Sequence, residues 1–404
     1  MEHMEYDLIV VGGGFSGLSL LQDIKSLNVL LLEEHKTIGK PQHCAGLISG
    51  RALHFLSSYR VNPKEILINS FRSFTLYSPS LKPLTLDFKH TIAHVINRVK
   101  LEKILYENVM DNVNSKFGVK VSKVGFGWVY SERIGIARAK AIVVSEGFKH
   151  LISKRLRVNH YRRYNDEFVI GIQRDYRVHG HINSSDVAVI FNNTISPGYY
   201  SWAIPLTDNI VRLGVAGKPT VKNQNLKLLE KIYEKIFSVK VEPKGKIFGG
   251  KILTIGPPSK DHINNIIFLG DTAFHVKPVS GGGIYTAALF SKALSKSIQR
   301  RLSEDLHVAL REYYRETLEV RRRLKIQSVM AKILHKSSDN VKERIWSIIG
   351  DYGLEGELVK NVDYDYHDEI FKLAIRKPKL IMYGFYVVSS LILELVDLTF
   401  KLRG

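Results

Sequence analysis

A glycine-rich turn near the N-terminus constrains the fold more than any other feature of the sequence. The apolar run Tyr6–Val11 ends at Gly12-Gly13-Gly14-Phe15-Ser16-Gly17, and helix-like apolar spacing follows over Ser16–Lys25. A second apolar run, Val29–Leu32, ends at Glu33. This order of strand, G-x-G-x-x-G turn, helix and strand is typical of a dinucleotide-binding fold.

The glycines of this turn have separate roles. Gly12 permits the tight turn, Gly14 lets a pyrophosphate approach the backbone, and Gly17 lets the helix pack closely on the strand. The free N–H groups at the start of the helix face the phosphates. The carboxylate of Glu33 is placed to accept hydrogen bonds from ribose hydroxyls. This motif alone is compatible with either NAD or FAD.

A second glycine-containing segment lies in the last third of the chain. The apolar run Ile266–Leu269 ends at Gly270-Asp271, and Pro278-Val279-Ser280-Gly281-Gly282-Gly283-Ile284 then opens a long helical pattern. It resembles the second flavin-binding motif of the glutathione-reductase and para-hydroxybenzoate-hydroxylase type flavoproteins. The resemblance implies that Asp271 holds the ribityl hydroxyls of FAD and that the amides of Gly281–Gly283 lie near the flavin pyrimidine edge. The alternative is an ordinary turn followed by a hinge.

Two positions between these motifs are compared with the same class of flavoproteins. Arg98 begins a predicted helix after the strand-like Ala93–Ile96. In this class an arginine at this point reaches the cofactor, whereas the alternative is a helix-end or surface charge. Ser145-Glu146-Gly147 resembles the Ala-Asp-Gly segment of the class, but Glu146 replaces the aspartate. This departure weakens the case for a specific role of Glu146.

Three segments carry a narrower resemblance. Gly39–Ser49, which contains His43-Cys44-Ala45, is similar to the cysteine-containing segment of archaeal geranylgeranyl reductases. Pro197–Pro205 resembles their P-x-x-Y-x-W-x-F-P motif, with Ile204 in place of phenylalanine, and Val276–Tyr285 resembles the segment that follows Gly-Asp. The resemblance spans about Tyr6 to Arg300. It identifies the chain as similar to the geranylgeranyl reductase family of flavoproteins.

This family resemblance implies a substrate site. Tyr199, Tyr200 and Trp202 offer broad apolar surfaces with polar edges, suited to holding an isoprenoid chain beside a flavin, and His43 is expected close to it. Cys44 is the candidate catalytic residue, as a donor or relay of a proton. The alternatives are an aromatic strand packed in an ordinary core and, for Cys44, a small buried hydrophobic residue.

The expected cofactor is FAD. The predicted FAD-binding residues are Gly12, Gly14, Phe15, Ser16, Gly17, Glu33, Cys44, Ala45, Arg98, Gly270, Asp271, Gly281, Gly282, Gly283 and Ile284.

The predicted fold class is α/β, with a Rossmann-type FAD-binding domain, an inserted β-rich substrate-binding domain and a helical C-terminal region. Strand-like runs at Val119–Val124, Phe168–Ile172, Val187–Phe191 and Ile210–Val215 make the middle of the chain rich in sheet, and helical spacing begins at Gly283. We assign residues 1–70, 90–160 and 260–304 to the FAD-binding domain. Residues 71–89 and 161–259 form the substrate domain, and 305–404 the helical region.

Composition limits the partners. Lys and Arg number 59 against 39 Asp and Glu, a net charge of +20 that favours acidic partners or anionic surfaces. Basic residues are dispersed and no nucleic-acid-binding module is recognised, so no nucleic acid is expected. Cys44 is the only cysteine, and the histidines lack metal-ligand spacing, so no metal is expected. The expected electron donor is NAD(P)H, binding transiently, or a ferredoxin, whose acidic surface suits the positive charge.

The C-terminal segment Leu380–Leu393 contains fourteen residues without formal charge, and Arg376, Lys377 and Lys379 precede it. It is shorter than a membrane-spanning helix requires. Peripheral contact with an anionic membrane is one interpretation, and packing on the protein's own core or on another subunit is the other. The N-terminus lacks a signal-peptide pattern. The expected location is cytoplasmic, and under the first interpretation it includes peripheral contact at the inner face of the cell membrane.

The preferred function is reduction of isolated carbon–carbon double bonds in a polyprenyl lipid or prenyl diphosphate, as part of isoprenoid membrane-lipid synthesis. A flavin-dependent monooxygenase or halogenase is the alternative enzyme, because Tyr200–Pro205 is close to the halogenase W-x-W-x-I-P pattern with Tyr200 in place of its first tryptophan. A non-catalytic, membrane-associated flavoprotein is the third possibility.

Overall fold

The computed structural model describes residues 4–156 and 167–369. The predicted membrane-contacting segment Leu380–Leu393 lies outside these described residues. Within them, no helix combines the length and apolar character that crossing a membrane requires.

The strands are, in chain order, β1 (Met4–Val11), β2 (Val29–Glu33), β3 (Leu47–Ser49), β4 (Leu67–Phe71), β5 (Ser73–Tyr77), β6 (Pro83–Asp87), β7 (Ala93–Ile96), β8 (Asn114–Phe117), β9 (Lys123–Gly125), β10 (Trp128–Ser131), β11 (Gly135–Val144), β12 (Phe168–His179), β13 (Asp186–Ile190), β14 (Ser201–Thr207), β15 (Ile210–Gly217), β16 (Lys240–Leu253), β17 (His262–Ile263) and β18 (Ile266–Phe268). The α-helices are α1 (Phe15–Leu21), α2 (Gly50–Ser57), α3 (Pro63–Ile66), α4 (Arg98–Glu107), α5 (Leu151–Arg155), α6 (Asn223–Phe237), α7 (Ile284–Arg301), α8 (Leu306–Lys336), α9 (Asp339–Asp351) and α10 (Glu355–Asn361).

The described residues fall into two compact units. The first takes its residues from Met1–Ile68, Ile96–Phe168 and Lys251–Lys325, and the second from Asn69–Val95, Val169–Gly250 and Ile326–Gly404. The functional division into an FAD-binding domain, a substrate domain and a helical region stays a proposal.

The first unit contains an eight-stranded sheet with the order β17-β18-β11-β1-β2-β8, and β10 and β9 continue from β11. Strand β1 pairs in parallel with both β11 and β2. Its side chains alternate between two cores: Leu8 and Val10 belong to a cluster that includes Leu18 of α1, whereas Ile9 and Val11 belong to a cluster on the other face. Because both faces are covered, the parallel strands are almost continuously apolar.

The second unit contains a seven-stranded sheet with the order β16-β12-β15-β14-β13-β5-β6. Strands β12, β15, β14 and β13 pair antiparallel in succession, and β13 pairs in parallel with β5. Helix α6 contributes Leu226, Leu229 and Tyr233 to the core cluster that also contains Leu213 and Val215 of β15. This core covers one face of the sheet.

The predicted fold class is confirmed: a Rossmann-type parallel sheet is accompanied by a β-rich region and by the helices α7 and α8 in the C-terminal part. The predicted strand Val119–Val124 is wrong over most of its length, because β9 covers Lys123–Gly125. Val119 is buried and its N–H bonds the carbonyl of Glu33. The apolar alternation there reflects burial of a connecting segment rather than strand pairing.

Candidate functional site

The glycine turn after β1 is shaped by close approaches of the backbone. Gly12 has a φ of +104°, and a Cβ on it would lie 2.3 Å from the carbonyl oxygen of Ser145. A Cβ on Gly17 would lie 2.2 Å from the carbonyl oxygen of Gly12, whereas a Cβ on Gly14 would meet no atom within 4 Å. Gly12 and Gly17 therefore fix the turn, and Gly14 leaves open space at the N-terminus of α1.

Glu33 holds this turn in place. Its buried carboxylate accepts the N–H of Gly13 at 2.7 Å through one oxygen and the N–H of His35 at 2.8 Å through the other. The ring Nδ1 of His35 lies 2.6 Å from the second oxygen. The carboxylate at the end of β2 is thus fixed against the glycine turn, a contact that the sequence motif did not reveal.

The second glycine segment meets the first. Gly270 has a φ of +69°, and a Cβ on it would lie 2.1 Å from the hydroxyl of Ser16. The hydroxyl of Ser291, on α7, donates a hydrogen bond to the carbonyl of Ser16 at 3.1 Å. The two motifs, far apart in sequence, are therefore packed together at the start of α1.

Asp271 and the following glycines form the other side of this region. A Cβ on Gly283, the residue before α7, would lie 3.4 Å from Oδ1 of Asp271. Lys277 and the glycines close a turn, because the N–H of Lys277 bonds the carbonyl of Gly282 and the N–H of Gly281 bonds the carbonyl of Lys277. Burial raises the pKa of Asp271, and the Arg98 cation opposes that rise. Ile284 is buried as the first residue of α7.

Arg98 is the first residue of α4, and its guanidinium lies close to other predicted site residues. It forms an ion pair with Glu102 one turn later and lies 5.6 Å from the ring centroid of Phe15. Burial lowers the pKa of Arg98, but Glu102 and Cys44 raise it by more. Its Nε is buried and has no hydrogen-bond partner among the described residues. A buried donor left without an acceptor marks a place for a ligand.

His43, Cys44 and Ala45 of the cysteine segment differ in solvent exposure. Cys44 is partly buried, and its sulfur accepts the N–H of Gly46 at 3.4 Å. Ala45 is also partly buried, whereas His43 is exposed and meets the ring of Phe148 edge to face at 5.7 Å. Cys44 therefore lies beside Arg98 in the same unit as both glycine motifs.

Glu146, which replaces the aspartate of the flavoprotein pattern, has a structural contact of its own. Its carboxylate accepts N–H groups of Leu151, Ile152 and Ser153, at the start of α5. Burial raises the pKa of Glu146, and these hydrogen bonds oppose the rise. Glu146 thus satisfies the free N–H groups of a helix start.

The aromatic segment Pro197–Pro205 belongs to the second unit. Tyr199 is buried and stacks on Tyr200, with ring centroids 4.3 Å apart. Trp202 is buried too, donates to the amide oxygen of Gln173 at 3.3 Å, and covers Gly214 so closely that a Cβ there would lie 2.2 Å from the ring. Of the three predicted substrate residues in this segment, Tyr200 is the most exposed.

Sequence reasoning missed a buried polar cluster behind the Gly270–Asp271 turn. It consists of Asp261, His275, Tyr313, Tyr314 and Arg321. Its sequence signal was weak, because its members come from the segment before β18, the turn after it, and α8.

Known proteins resemble this chain in sequence. No protein-family model matches the chain. A digeranylgeranylglycerophospholipid reductase of Methanocaldococcus jannaschii is 24% identical over 401 residues, covering 94% of this chain and 97% of that protein. An uncharacterised protein of the same organism is 28% identical over 360 residues, covering 85% and 89%.

Over most of its length the chain is similar to digeranylgeranylglycerophospholipid reductases, in line with the resemblance to geranylgeranyl reductases.

Solved structures share the fold of this chain. A geranylgeranyl bacteriochlorophyll reductase-like protein of Thermoplasma acidophilum matches with a TM-score of 0.79 at 17% identity, covering 96% of this chain and 100% of that one. The myxobacterial chondrochloren halogenase, an FAD-dependent enzyme, matches with a TM-score of 0.64 at 18% identity, covering 92% and 96%. At these identities the likeness concerns the fold. Together with the reductase relatives, this fold supports an FAD-dependent oxidoreductase.

The residues of the first unit fit an FAD. The open space at Gly14 lies at a helix N-terminus, which suits a pyrophosphate. The unpartnered Nε of Arg98 offers a buried donor, and the partly buried carboxylate of Asp271 offers an acceptor for hydroxyl groups. These three features combine donors and acceptors of the kind that phosphate and ribityl groups need.

Proposed function

We propose that this protein saturates carbon–carbon double bonds of a geranylgeranyl or other polyprenyl chain in the synthesis of isoprenoid membrane lipids. The observation that carries the proposal is the relationship to the digeranylgeranylglycerophospholipid reductase, which extends over 94% of this chain. The halogenase likeness concerns fold alone, so it supports no second function.

The flavin site is proposed to consist of the residues predicted from the sequence. Gly14 and the start of α1 would receive the pyrophosphate, Glu33 the ribose, and Asp271 the ribityl hydroxyls. Arg98 would use its buried Nε toward the cofactor. When bound and reduced, FAD supplies the hydride for the reduction.

Cys44 is the proposed proton donor for the second alkene carbon. The N–H of Gly46 bonds its sulfur at 3.4 Å, and the Arg98 cation lies close enough to interact with it electrostatically. Because Cys44 is only partly buried, solvent can restore the proton. Each saturated bond thus gains one hydride and one proton.

An isolated alkene has no carbonyl group to polarise, so alignment of the chain must supply much of the rate. The aromatic segment at Tyr200 is proposed to hold the polyprenyl chain. The electron donor is proposed to be NAD(P)H, binding transiently, or an acidic ferredoxin attracted by the net charge of +20. Peripheral contact with an anionic membrane through Leu380–Leu393 is also a proposal, supported by the adjacent basic residues.

The test is anaerobic turnover. Chemically reduced holoprotein is incubated with a geranylgeranyl phospholipid, and lipid mass spectrometry should detect two added hydrogens for each saturated bond. Tyr200→Ala should impair reduction more than FAD binding, and Cys44→Ala should slow it while the flavin stays bound. Cys44→Ser is the matched control, because a hydroxyl of similar size separates proton delivery from packing.

Two sets of results would contradict the reductase proposal. If reduced flavin is present but prenyl diphosphates, prenyl lipids and isoprenoid quinones all remain unsaturated, and oxygen instead yields a hydroxylated or halogenated product, the reductase proposal fails. Bound FAD that transfers no electrons to any lipid or oxygen would favour a non-catalytic flavoprotein.

A further inference from the structure

The buried polar cluster behind the Gly270–Asp271 turn is organised around one carboxylate. Oδ2 of Asp261 accepts hydrogen bonds from His275 Nε2 at 3.0 Å, from the Tyr313 hydroxyl at 2.9 Å and from Arg321 Nη2 at 2.6 Å. The Tyr314 hydroxyl donates to Oδ1, and the carboxylate has no exposed surface. A buried carboxylate with this set of donors stays ionised.

Arg321 neutralises this charge, and each of its three guanidinium nitrogens makes a hydrogen bond. Its Nε bonds the hydroxyl of Thr317 at 2.9 Å, and its Nη1 bonds the carbonyl of Pro258 at 3.1 Å. The guanidinium also faces the ring of Tyr314, 4.7 Å from its centroid. Helix α8 therefore delivers a fixed cation and two tyrosine hydroxyls to Asp261.

His275 connects the cluster to the glycine turn. Its Nδ1 lies 3.2 Å from the backbone nitrogen of Gly270, which is a donor only, so Nδ1 must accept. Nε2 must then carry the proton that it donates to Asp261. The backbone N–H of His275 also donates to the carbonyl of Gly270 at 3.0 Å. Each of the two residues therefore donates one hydrogen bond to the other.

The ring of His275 is itself firmly held. It stacks on Phe290 of α7 with centroids 3.6 Å apart and planes within 6°. The hydroxyl of Thr286, one turn earlier on α7, donates to the carbonyl of His275 at 2.6 Å. The ring therefore has one orientation, and that orientation points Nδ1 at Gly270.

We propose that His275 is a positioning residue for the flavin site: Asp261 and Arg321 hold it in the Nε2–H tautomer, and its Nδ1 fixes the Gly270 N–H so that Asp271 faces the cofactor. This inference rests on the proposed flavin role of Asp271. His275 does not touch the reacting atoms; it acts through the turn that carries Asp271.

Two variants separate the two hydrogen bonds of the His275 ring, one to Asp261 and one to Gly270. In His275→Gln the side-chain amide reaches the place of Nε2 and still donates to Asp261, but the acceptor for Gly270 is lost. In His275→Asn the amide oxygen takes the place of Nδ1 and still accepts from Gly270, but the donor to Asp261 is lost. Both lose the stacking on Phe290, so each is the packing control for the other.

The measurement is release of FAD from holoprotein on dilution, followed by flavin fluorescence, together with Tm at saturating FAD. If the Gly270–Asp271 turn of His275→Gln spends about a tenth of its time in the conformation that binds FAD, the Kd for FAD rises roughly tenfold. His275→Asn should keep the Kd within about threefold of the parent but show the lower Tm of the two, because a donor to the buried carboxylate is missing.

A measurement on the unmodified protein makes the test independent of how well the variants fold. Two-bond proton–nitrogen correlation spectra of ¹⁵N-histidine-labelled holoprotein at neutral pH should show the neutral Nε2–H tautomer for His275. The Nδ1–H tautomer or the imidazolium would overturn the inference. So would equal losses of FAD affinity in the two variants, or parental affinity in His275→Gln.

Asp271→Ala distinguishes this inference from the proposed flavin site. If that variant binds FAD as tightly as the parent, the flavin site is misassigned and the positioning role falls with it. If Asp271→Ala binds FAD weakly while His275→Gln binds it normally, the flavin site stands and only the role of His275 is refuted.

Discussion

Alanine substitutions in the glycine turn should separate folding from cofactor binding. The structure assigns opposite consequences to two glycines that lie two positions apart. A Cβ on Gly12 would lie 2.3 Å from the carbonyl oxygen of Ser145, whereas a Cβ on Gly14 would meet no atom within 4 Å. Gly12→Ala should therefore damage the fold, and Gly14→Ala should leave the fold intact while blocking the phosphate.

The size of the Gly12 effect follows from the geometry. Ordinary van der Waals contacts of a Cβ begin at 3.4 Å, so the new methyl group would be more than 1 Å too close. Ser145 cannot move away freely, because its N–H bonds the carbonyl of Val11 at 2.8 Å and its hydroxyl bonds the carbonyl of Gly12 at 2.8 Å. With the positive φ added, Gly12→Ala should lower the free energy of unfolding by about 3 kcal/mol.

The Gly14 effect should appear in binding instead. Gly14 has a φ of −77°, which alanine adopts without strain. It is the N-cap residue of α1 but makes no side-chain capping hydrogen bond. The loss in capping and the gain from a less flexible unfolded chain should leave the free energy of unfolding within about 1 kcal/mol of the parent. A methyl group at the approach to the pyrophosphate should raise the Kd for FAD about 100-fold, or about 2.7 kcal/mol.

Urea unfolding of flavin-free protein measures the first quantity, because bound FAD would itself add stability in proportion to its affinity. Fluorescence titration with FAD measures the second. Parental FAD affinity in Gly14→Ala would refute the assignment of that position to the phosphates. Parental stability in Gly12→Ala would refute the steric argument.

Three further outcomes are expected. Gly214→Ala should lower the free energy of unfolding by about 1–3 kcal/mol, because the new Cβ overlaps the Trp202 ring; an unchanged urea midpoint would contradict this. Burial lowers the pKa of His275 to about 4, so the unfolded chain, with a histidine pKa near 6.5, binds a proton that the folded protein excludes. Stability should therefore fall by about 3 kcal/mol as the pH drops from about 6.5 to about 4, and urea unfolding of His275→Gln should lack that component. Deleting Leu380–Gly404 should weaken co-sedimentation with phosphatidylglycerol vesicles about tenfold at unchanged FAD content, and unchanged co-sedimentation would favour the core-packing interpretation.

The sequence by itself determined the local parts of this protein. The apolar run of β1, the G-x-G-x-x-G turn and the start of α1 are encoded within a few consecutive residues, since glycine placement and apolar period act locally. The second motif at Gly270-Asp271 was predictable for the same reason. The site roles assigned to these residues stay predictions.

Only the tertiary structure decided which polar groups become partners. Asp261 and Arg321 are 60 positions apart, and nothing in either neighbourhood indicates an ion pair, because a salt bridge has no sequence period. The contact of Glu33 with Gly13, the unpartnered Nε of Arg98 and the link from His275 to Gly270 likewise exist only once burial removes water from these groups. Buried polar groups must find acceptors and donors wherever the fold brings them, so their pairing is a property of the folded chain.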